Sequence, residues 1–334
     1  MLLPVLLLLV GFVLLYFGAD WLVRGAAHIA NALGISKSVV GLTLVAFGTS
    51  APEFFVNVIA GWDGETGIAL ANISGSNLTN ICIGFGLTAI LAEIVVQRAS
   101  FRGDLIMLVV SAAVVFGLLT MDLENPALPF WSCLPLIALL VVYLYSMKGR
   151  KELVEVAEIA EEGEPPRASR RRLAWNCGVF LAGVLLLYGG GEAVLNGAVA
   201  IGKAIGIKPE VIGLTIIAAG TSIPDALASF IAARRKEHGI AVGNLLGSNI
   251  SNIVFILSST MLASRLGGKA VEGLPGSLGA SVELVVDYGL VVLISAVFFA
   301  VVSYFGRLPK WAGAGLIVVY FCYMAARVYI EVAA

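Results

Sequence analysis

Long apolar runs, separated by short polar clusters, recur along the whole chain. Ten of them can be marked, at about residues 2–23, 38–61, 67–92, 104–121, 128–147, 174–196, 210–233, 239–263, 284–306 and 311–331. Each is near the roughly 20 residues that a helix needs to cross the hydrocarbon core of a bilayer. The pattern predicts an all-α polytopic membrane protein with ten transmembrane helices. The first run lacks the basic segment that opens a secretory signal and stays apolar through Val23, so it is read as a retained span.

One stretch interrupts the pattern. Between Lys148 and Arg172 the chain carries six glutamates, then Pro165-Pro166 and the basic Arg170-Arg171-Arg172. It reads as a cytoplasmic charged linker at 148–172, a solvated connector rather than a regulatory element. It divides the chain into two five-span units, 1–147 and 173–334.

The two units match without a gap. Residues 41–81, GLTLVAFGTSAPEFFVNVIAGWDGETGIALANISGSNLTNI, and residues 213–253, GLTIIAAGTSIPDALASFIAARRKEHGIAVGNLLGSNISNI, are identical at 20 of 41 positions at an offset of 172. Upstream, Asp20 aligns with Glu192. A repeat with an odd number of spans must enter the membrane the opposite way from its copy. The expected architecture is therefore two inverted five-helix repeats, an arrangement that in secondary transporters places the site near the midplane where the repeats meet.

Composition strengthens the membrane reading and charge orients it. The 334 residues are 59% hydrophobic and 13% charged, with mean hydropathy +0.98, well outside the range of soluble domains. The net charge of −1 is uninformative, but of 21 basic residues 16 fall on one side of a ten-span plan. The positive-inside rule then predicts an N-out, C-out topology. The four cysteines fall inside candidate spans with no metal-type spacing and are expected to be buried thiols.

The chemistry sits in the paired motifs. Glu53 in the second span and Asp225 in the seventh lie among apolar residues, where an ionised group costs about 2.5–3.5 kcal/mol and by default marks an ion or proton pathway. Pro52 and Pro224 precede them, and each removes the amide that would bind the carbonyl of Gly48 or Gly220. Thr49, Ser50, Thr221 and Ser222 add hydroxyls beside the freed carbonyls. In the third and eighth spans Asn72, Ser76 and Asn80 recur every four residues, as do Asn244, Ser248 and Asn252, giving each helix a stripe of neutral oxygens. Asn77 and Asn249 fit better as helix glue, the bland alternative for all of these groups. Carboxylates, hydroxyls, amides and carbonyls without thiolate or imidazole suit Ca²⁺ and Na⁺, not zinc or copper.

Gly48-Thr49-Ser50-Ala51-Pro52-Glu53 with Gly75-Ser76-Asn77, and Gly220-Thr221-Ser222-Ile223-Pro224-Asp225 with Gly247-Ser248-Asn249, resemble the α-repeats of the cation/Ca²⁺ exchanger superfamily, nearest to its prokaryotic sodium/calcium exchangers. The resemblance spans both repeats, hence nearly the whole chain. It implies that Glu53 and Asp225 bridge Ca²⁺ with help from Thr49 and Thr221. It implies Na⁺ sites built from Ser50, Ser222, Ser76, Ser248 and the carbonyls of Ala46 and Ala218, with Asn80 and Asn252 lining the middle. It also implies that the first and sixth helices slide across a rigid core, which the Gly189-Gly190-Gly191 run suits.

Two positions depart from the family pattern. Asn252 stands where many members have Asp, which argues against K⁺ dependence, and Asp225 stands where Glu is usual. The expected function is an electrogenic Na⁺/Ca²⁺ antiporter working by alternating access, with no cofactor, no nucleic acid and no obligate protein partner. Its expected home is the plasma or inner membrane of a prokaryote. A Ca²⁺/H⁺ antiporter or a K⁺-dependent exchanger is the alternative. An intramembrane hydrolase is disfavoured because Ser50 and Ser222 have no base beside them.

Overall fold

The computed structural model describes residues 2–92, 94–96, 98–121, 127–148, 170–204, 220–267, 270–271, 274–275, 278–279 and 282–333. Most of the expected linker and the stretch 205–219, with Ala218, lie outside the described residues. The first half contains α1 (Leu2–Leu33), α2 (Lys37–Thr49), α3 (Ala51–Asp63), α4 (66–91), α5 (Arg98–Leu119) and α6 (Cys133–Lys148). The second contains α7 (Arg170–Ala204), α8 (Ile223–Arg234), α9 (His238–Gly267), α10 (Val282–Phe305) and α11 (Lys310–Ala333).

Seven of the described helices are long and apolar enough to cross a membrane, eight if α2 and α3 are counted as one bent span. The chain is thus an all-helical membrane protein. The expected span at 67–92 is helical but diluted by Asn72, Ser74, Ser76, Asn77, Thr79 and Asn80, and that at 210–233 begins outside the described residues. Among the described residues are four two-residue strands, β1 (Ala127–Leu128), β2 (Ala270–Val271), β3 (Leu274–Pro275) and β4 (Leu278–Gly279), pairing β1 with β4 and β2 with β3.

Burial separates a core from an arm. The window of α9 is almost wholly buried, whereas α1 and α7 leave most of their side chains exposed, including Leu2, Leu9, Trp175 and Leu185, as helices facing lipid do. These two helices run 32 and 35 residues, longer than the expected spans 2–23 and 174–196, and they pack along each other. A Cβ on Gly11, Gly18 or Gly25 of α1 would lie 2.6–2.8 Å from atoms of α7, and one on Gly183, Gly190 or Gly197 would lie 2.4–2.8 Å from atoms of α1. The seven-residue spacing puts each set on one helix face, so the backbones touch as in small-residue membrane interfaces. Of the expected Gly189-Gly190-Gly191 run only Gly190 belongs to this ladder; Gly189 has nothing within 4 Å.

Within the core, α9 is pressed against α2 by the same device: a Cβ on Gly243 would meet the Ser38 carbonyl at 2.7 Å and one on Gly247 the Leu42 carbonyl at 2.5 Å. Cys82 and Cys133 are buried as expected, but Cys322 is exposed and Cys177 is half-buried, and no cysteine is paired. A thiol facing lipid carries no desolvation cost that would force it inward.

Candidate cation-binding site

The helix breaks where proline requires it. Without an amide at Pro52, the α-helical ladder stops at Ser50 (φ −90°, ψ 8°) and α2 and α3 meet at 54°. Ser222 has the same backbone (φ −89°, ψ −1°) immediately before α8, again with proline in the first turn. Glu53 and Asp225 consequently sit in the first turns of α3 and α8, where the unpaired amides and the helix dipole favour negative charge. Both side chains are buried, at 1% and 0% exposure, and the two carboxylates lie near enough to repel.

Their surroundings differ. Asp225 Oδ1 accepts from Ser248 Oγ at 2.8 Å, and its Oδ2 from Asn80 Nδ2 at 3.1 Å and Ser50 Oγ at 3.5 Å. The donors come from both halves of the chain, so the site is built across their junction. Neither carboxylate oxygen of Glu53 has a hydrogen-bond partner among the described residues. A buried carboxylate with no donor is a costly arrangement unless a cation balances it. The buried oxygens Asn80 Oδ1, Asn252 Oδ1, Ser76 Oγ and Ser222 Oγ likewise have no partner. Two carboxylates among neutral oxygens are the donor chemistry of a hard cation, which in the case of Ca²⁺ takes 6–8 oxygens.

Asn80 and Asn252 each begin a π-helical segment, Asn80–Phe85 in α4 and Asn252–Ile256 in α9. Such widened turns recur at functional sites. Asn252 Nδ2 donates to Asn77 Oδ1 at 3.1 Å, which joins the two helices and leaves the Asn252 carbonyl as its remaining oxygen. Asn77 thus ties two helices together, whereas Asn249 donates to the Leu245 carbonyl of its own helix at 2.6 Å.

Four of the expected groups, Asn244, Thr49, Ala46 and Thr221, have partners within the protein. Asn244 donates to the Asp225 carbonyl at 3.0 Å and to Ser229 Oγ at 2.9 Å, and its Oδ1 accepts from Thr49 Oγ1 at 2.9 Å. It is a strut locking α8 and α9 to the break in α2, not a free oxygen. Thr49 Oγ1 also reaches the carbonyls of Val45 and Ala46, and Ala46 accepts from the Ser50 amide at 2.9 Å. In the other half Thr221 Oγ1 meets Asn72 Oδ1 only at 3.5 Å. Replacing Asn244 with alanine would leave the Asp225 carbonyl without its amide donor, and we expect a loss of about 1–3 kcal/mol, measurable by thermal unfolding in detergent.

The sequence reading missed Asn57 and Ser229. Asn57 is fully buried and donates to the Glu53 carbonyl at 2.7 Å. Both lie four residues beyond the acids and align at the 172 offset, a signal that was available. Asp20 and Glu192 both fall near the ends of their expected spans, 2–23 and 174–196. Asp20 is instead buried mid-helix and paired with Arg24 and Arg235, while Glu192 is exposed. A second intramembrane pair, Asp287 with Arg327 at 3.6 Å, was not anticipated because its members lie 40 residues apart in sequence.

The sodium/calcium exchanger protein family matches this sequence over residues 3–148 and 175–329, covering both halves. The chain belongs to that family. It is accordingly a membrane antiporter and not an enzyme. This exchanger is 27% identical to the sodium/calcium exchanger MaX1 of Methanosarcina acetivorans, over 97% of its own length and 98% of the relative's. It is 35% identical to the putative antiporter CaxA of Alkalimonas amylolytica, over 82% and 85%. Its fold matches the solved sodium-calcium exchanger NCX_Mj with a TM-score of 0.78 and 26% identity, over 97% and 99% of the two chains.

Proposed function

We propose that Glu53 and Asp225 hold Ca²⁺ and Na⁺ in turn, and that the protein exchanges one for the other across the membrane by alternating access. The observation that carries this reading is the undonated, fully buried carboxylate of Glu53 facing Asp225, surrounded by neutral oxygens from both halves. Two carboxylates balance one Ca²⁺, and the same oxygens suit Na⁺. The named relatives MaX1 and NCX_Mj are sodium/calcium exchangers, which supports Na⁺ over H⁺ as the counter-ion.

The metal ligands in this reading are Glu53, Asp225, Thr49, Thr221, Ser50, Ser222, Ser76, Ser248, Asn80 and Asn252, with the carbonyls of Ala46 and Ala218. Ten spans arranged as two inverted repeats, N-out and C-out, place these residues near the midplane. The matched backbone at Ser50 and Ser222 and the matched π segments at Asn80 and Asn252 support that plan. The arm of α1 and α7 is the body that moves, sliding across the core that holds the site. Relatives from a bacterium and an archaeon support the plasma or inner membrane of a prokaryote as its location.

Asn252 presents a neutral oxygen, so the site carries no third charge to hold K⁺ beside Ca²⁺, and exchange is K⁺-independent. The test is Ca²⁺ uptake into Na⁺-loaded proteoliposomes with external K⁺ or choline. Equal rates are expected. A requirement for K⁺ would contradict this assignment.

A further inference from the structure

Asp20 and Glu192 occupy matching positions in the two halves, yet one is sealed and the other open. Asp20, 8% exposed, accepts from Arg235 Nε at 2.8 Å and also from Arg235 Nη2 on one oxygen, and from Arg24 Nη2 at 2.9 Å on the other. Glu192 is exposed and accepts from Asn196 at 3.3 Å. With Tyr188, Leu195, Thr221, Pro224 and Pro52 it lines a small crevice of about 20 Å³ beside the two helix breaks. Around the two acids the halves differ: Gly191, Leu195 and Thr221 are half-buried, whereas their counterparts at the 172 offset, Ala19, Val23 and Thr49, are buried at 0%, 0% and 1% exposure, although Tyr16 and Tyr188 are both exposed. The surroundings of Glu192 are therefore the looser and those of Asp20 the tighter of the two.

The arginine that pairs with Asp20 across the halves has no counterpart in the other half. Arg235, at the end of α8, aligns with Asp63 at the end of α3, which is exposed. Exchanging the roles of the two halves, as an inverted repeat does when it turns from one access state to the other, would bring Glu192 toward Asp63. Two acids repel where an acid and an arginine attract. We propose that Asp20 and Arg235 form a one-sided latch between the arm and the core, which biases the protein toward the state that is looser at Glu192 before any ion binds. This rests on the alternating-access reading given above and assigns Asp20 and Arg235 as positioning residues, since neither touches the ion site.

The latch predicts opposite changes on the two sides. Cysteines introduced one at a time as V23C or L195C, in a C177S/C322S background that keeps only the buried Cys82 and Cys133, report the tighter and looser sides by their maleimide labelling rates above that background in lipid nanodiscs, where both faces meet the reagent. The buffer contains K⁺ but neither Na⁺ nor Ca²⁺. Arg235→Gln is expected to raise V23C labelling by about three- to tenfold, the effect of a partly buried charged hydrogen bond, and to lower L195C labelling. Arg235→Lys keeps the charge and is expected to leave both near the parent. Asp63→Arg, a change at an exposed position, installs the missing partner opposite Glu192 and is expected to raise V23C and lower L195C labelling on its own. Unchanged labelling in Arg235→Gln or in Asp63→Arg would overturn the latch, as would a rise at V23C without a fall at L195C, which marks local loosening. With no transported ion present, the result stands or falls independently of the counter-ion, which the uptake assay decides.

Discussion

Replacing Glu53 with glutamine is expected to reduce Na⁺-driven Ca²⁺ uptake by more than about a hundredfold while leaving the protein folded. The two halves of that expectation have separate causes. Glu53 accepts no hydrogen bond from the described residues, so its amide analogue loses no partner there and sheds a buried charge that repels Asp225. The apo protein should be at least as stable as the parent. The loss falls on the cation: unit charges about 4 Å apart interact by roughly 4 kcal/mol at an effective dielectric of 20, and a divalent ion by more. Thermal unfolding separates the two effects, because ligand binding raises the parent's Tm, and Ca²⁺ should no longer do so for E53Q. Asp225→Asn should differ. Its carboxylate accepts from Ser248, Asn80 and Ser50, so an amide there turns a donor toward donors, and both transport and stability should fall.

The second large effect is expected in the arm. A valine at Gly183 would place Cβ 2.4 Å from the Leu22 amide nitrogen and 2.8 Å from the Gly18 carbonyl. Both are backbone atoms that no rotamer change can move, so α1 and α7 must separate along their length. Overpacking typically costs about 1–3 kcal/mol where side chains can adjust, and here they cannot. G183V should therefore fail to accumulate as folded protein or unfold at a much lower temperature. Gly178, on the same helix with nothing within 4 Å, provides the control, and G178V should behave like the parent. Fluorescence-detected size exclusion after membrane extraction would read both.

The paired motifs show how much was legible in the sequence. The acids, the prolines before them and the Asn/Ser stripes were readable because buried charge and a missing amide are local properties, and the 172-residue repeat doubled each signal. The break at Ser50 lies where proline chemistry puts it. What the stripe could not reveal is which oxygen faces the cation and which faces another helix. Asn244 and Asn80 look alike in sequence, yet one braces α8 and α9 and the other donates to Asp225 from the opposite half. That division depends on side-chain direction across an interface, not on spacing within a helix.

The glycine ladder was missed for a related reason. The GGG run drew attention, but the contacts recur every seven residues on two helices, at Gly11, Gly18, Gly25 and Gly183, Gly190, Gly197. Only the pairing of α1 with α7 gives that period meaning. The same holds for Asp20, whose burial comes from Arg235, 215 residues away in sequence.

The most direct test of the central claim is ⁴⁵Ca²⁺ uptake into proteoliposomes loaded with Na⁺, with K⁺ or with buffered acid, comparing the parent protein with E53Q. The account predicts uptake by the parent driven by the Na⁺ gradient alone, faster when the imposed potential draws positive charge inward, and none above the protein-free background for E53Q. Uptake driven only by the pH gradient, or Na⁺-driven uptake that survives in E53Q, would contradict it.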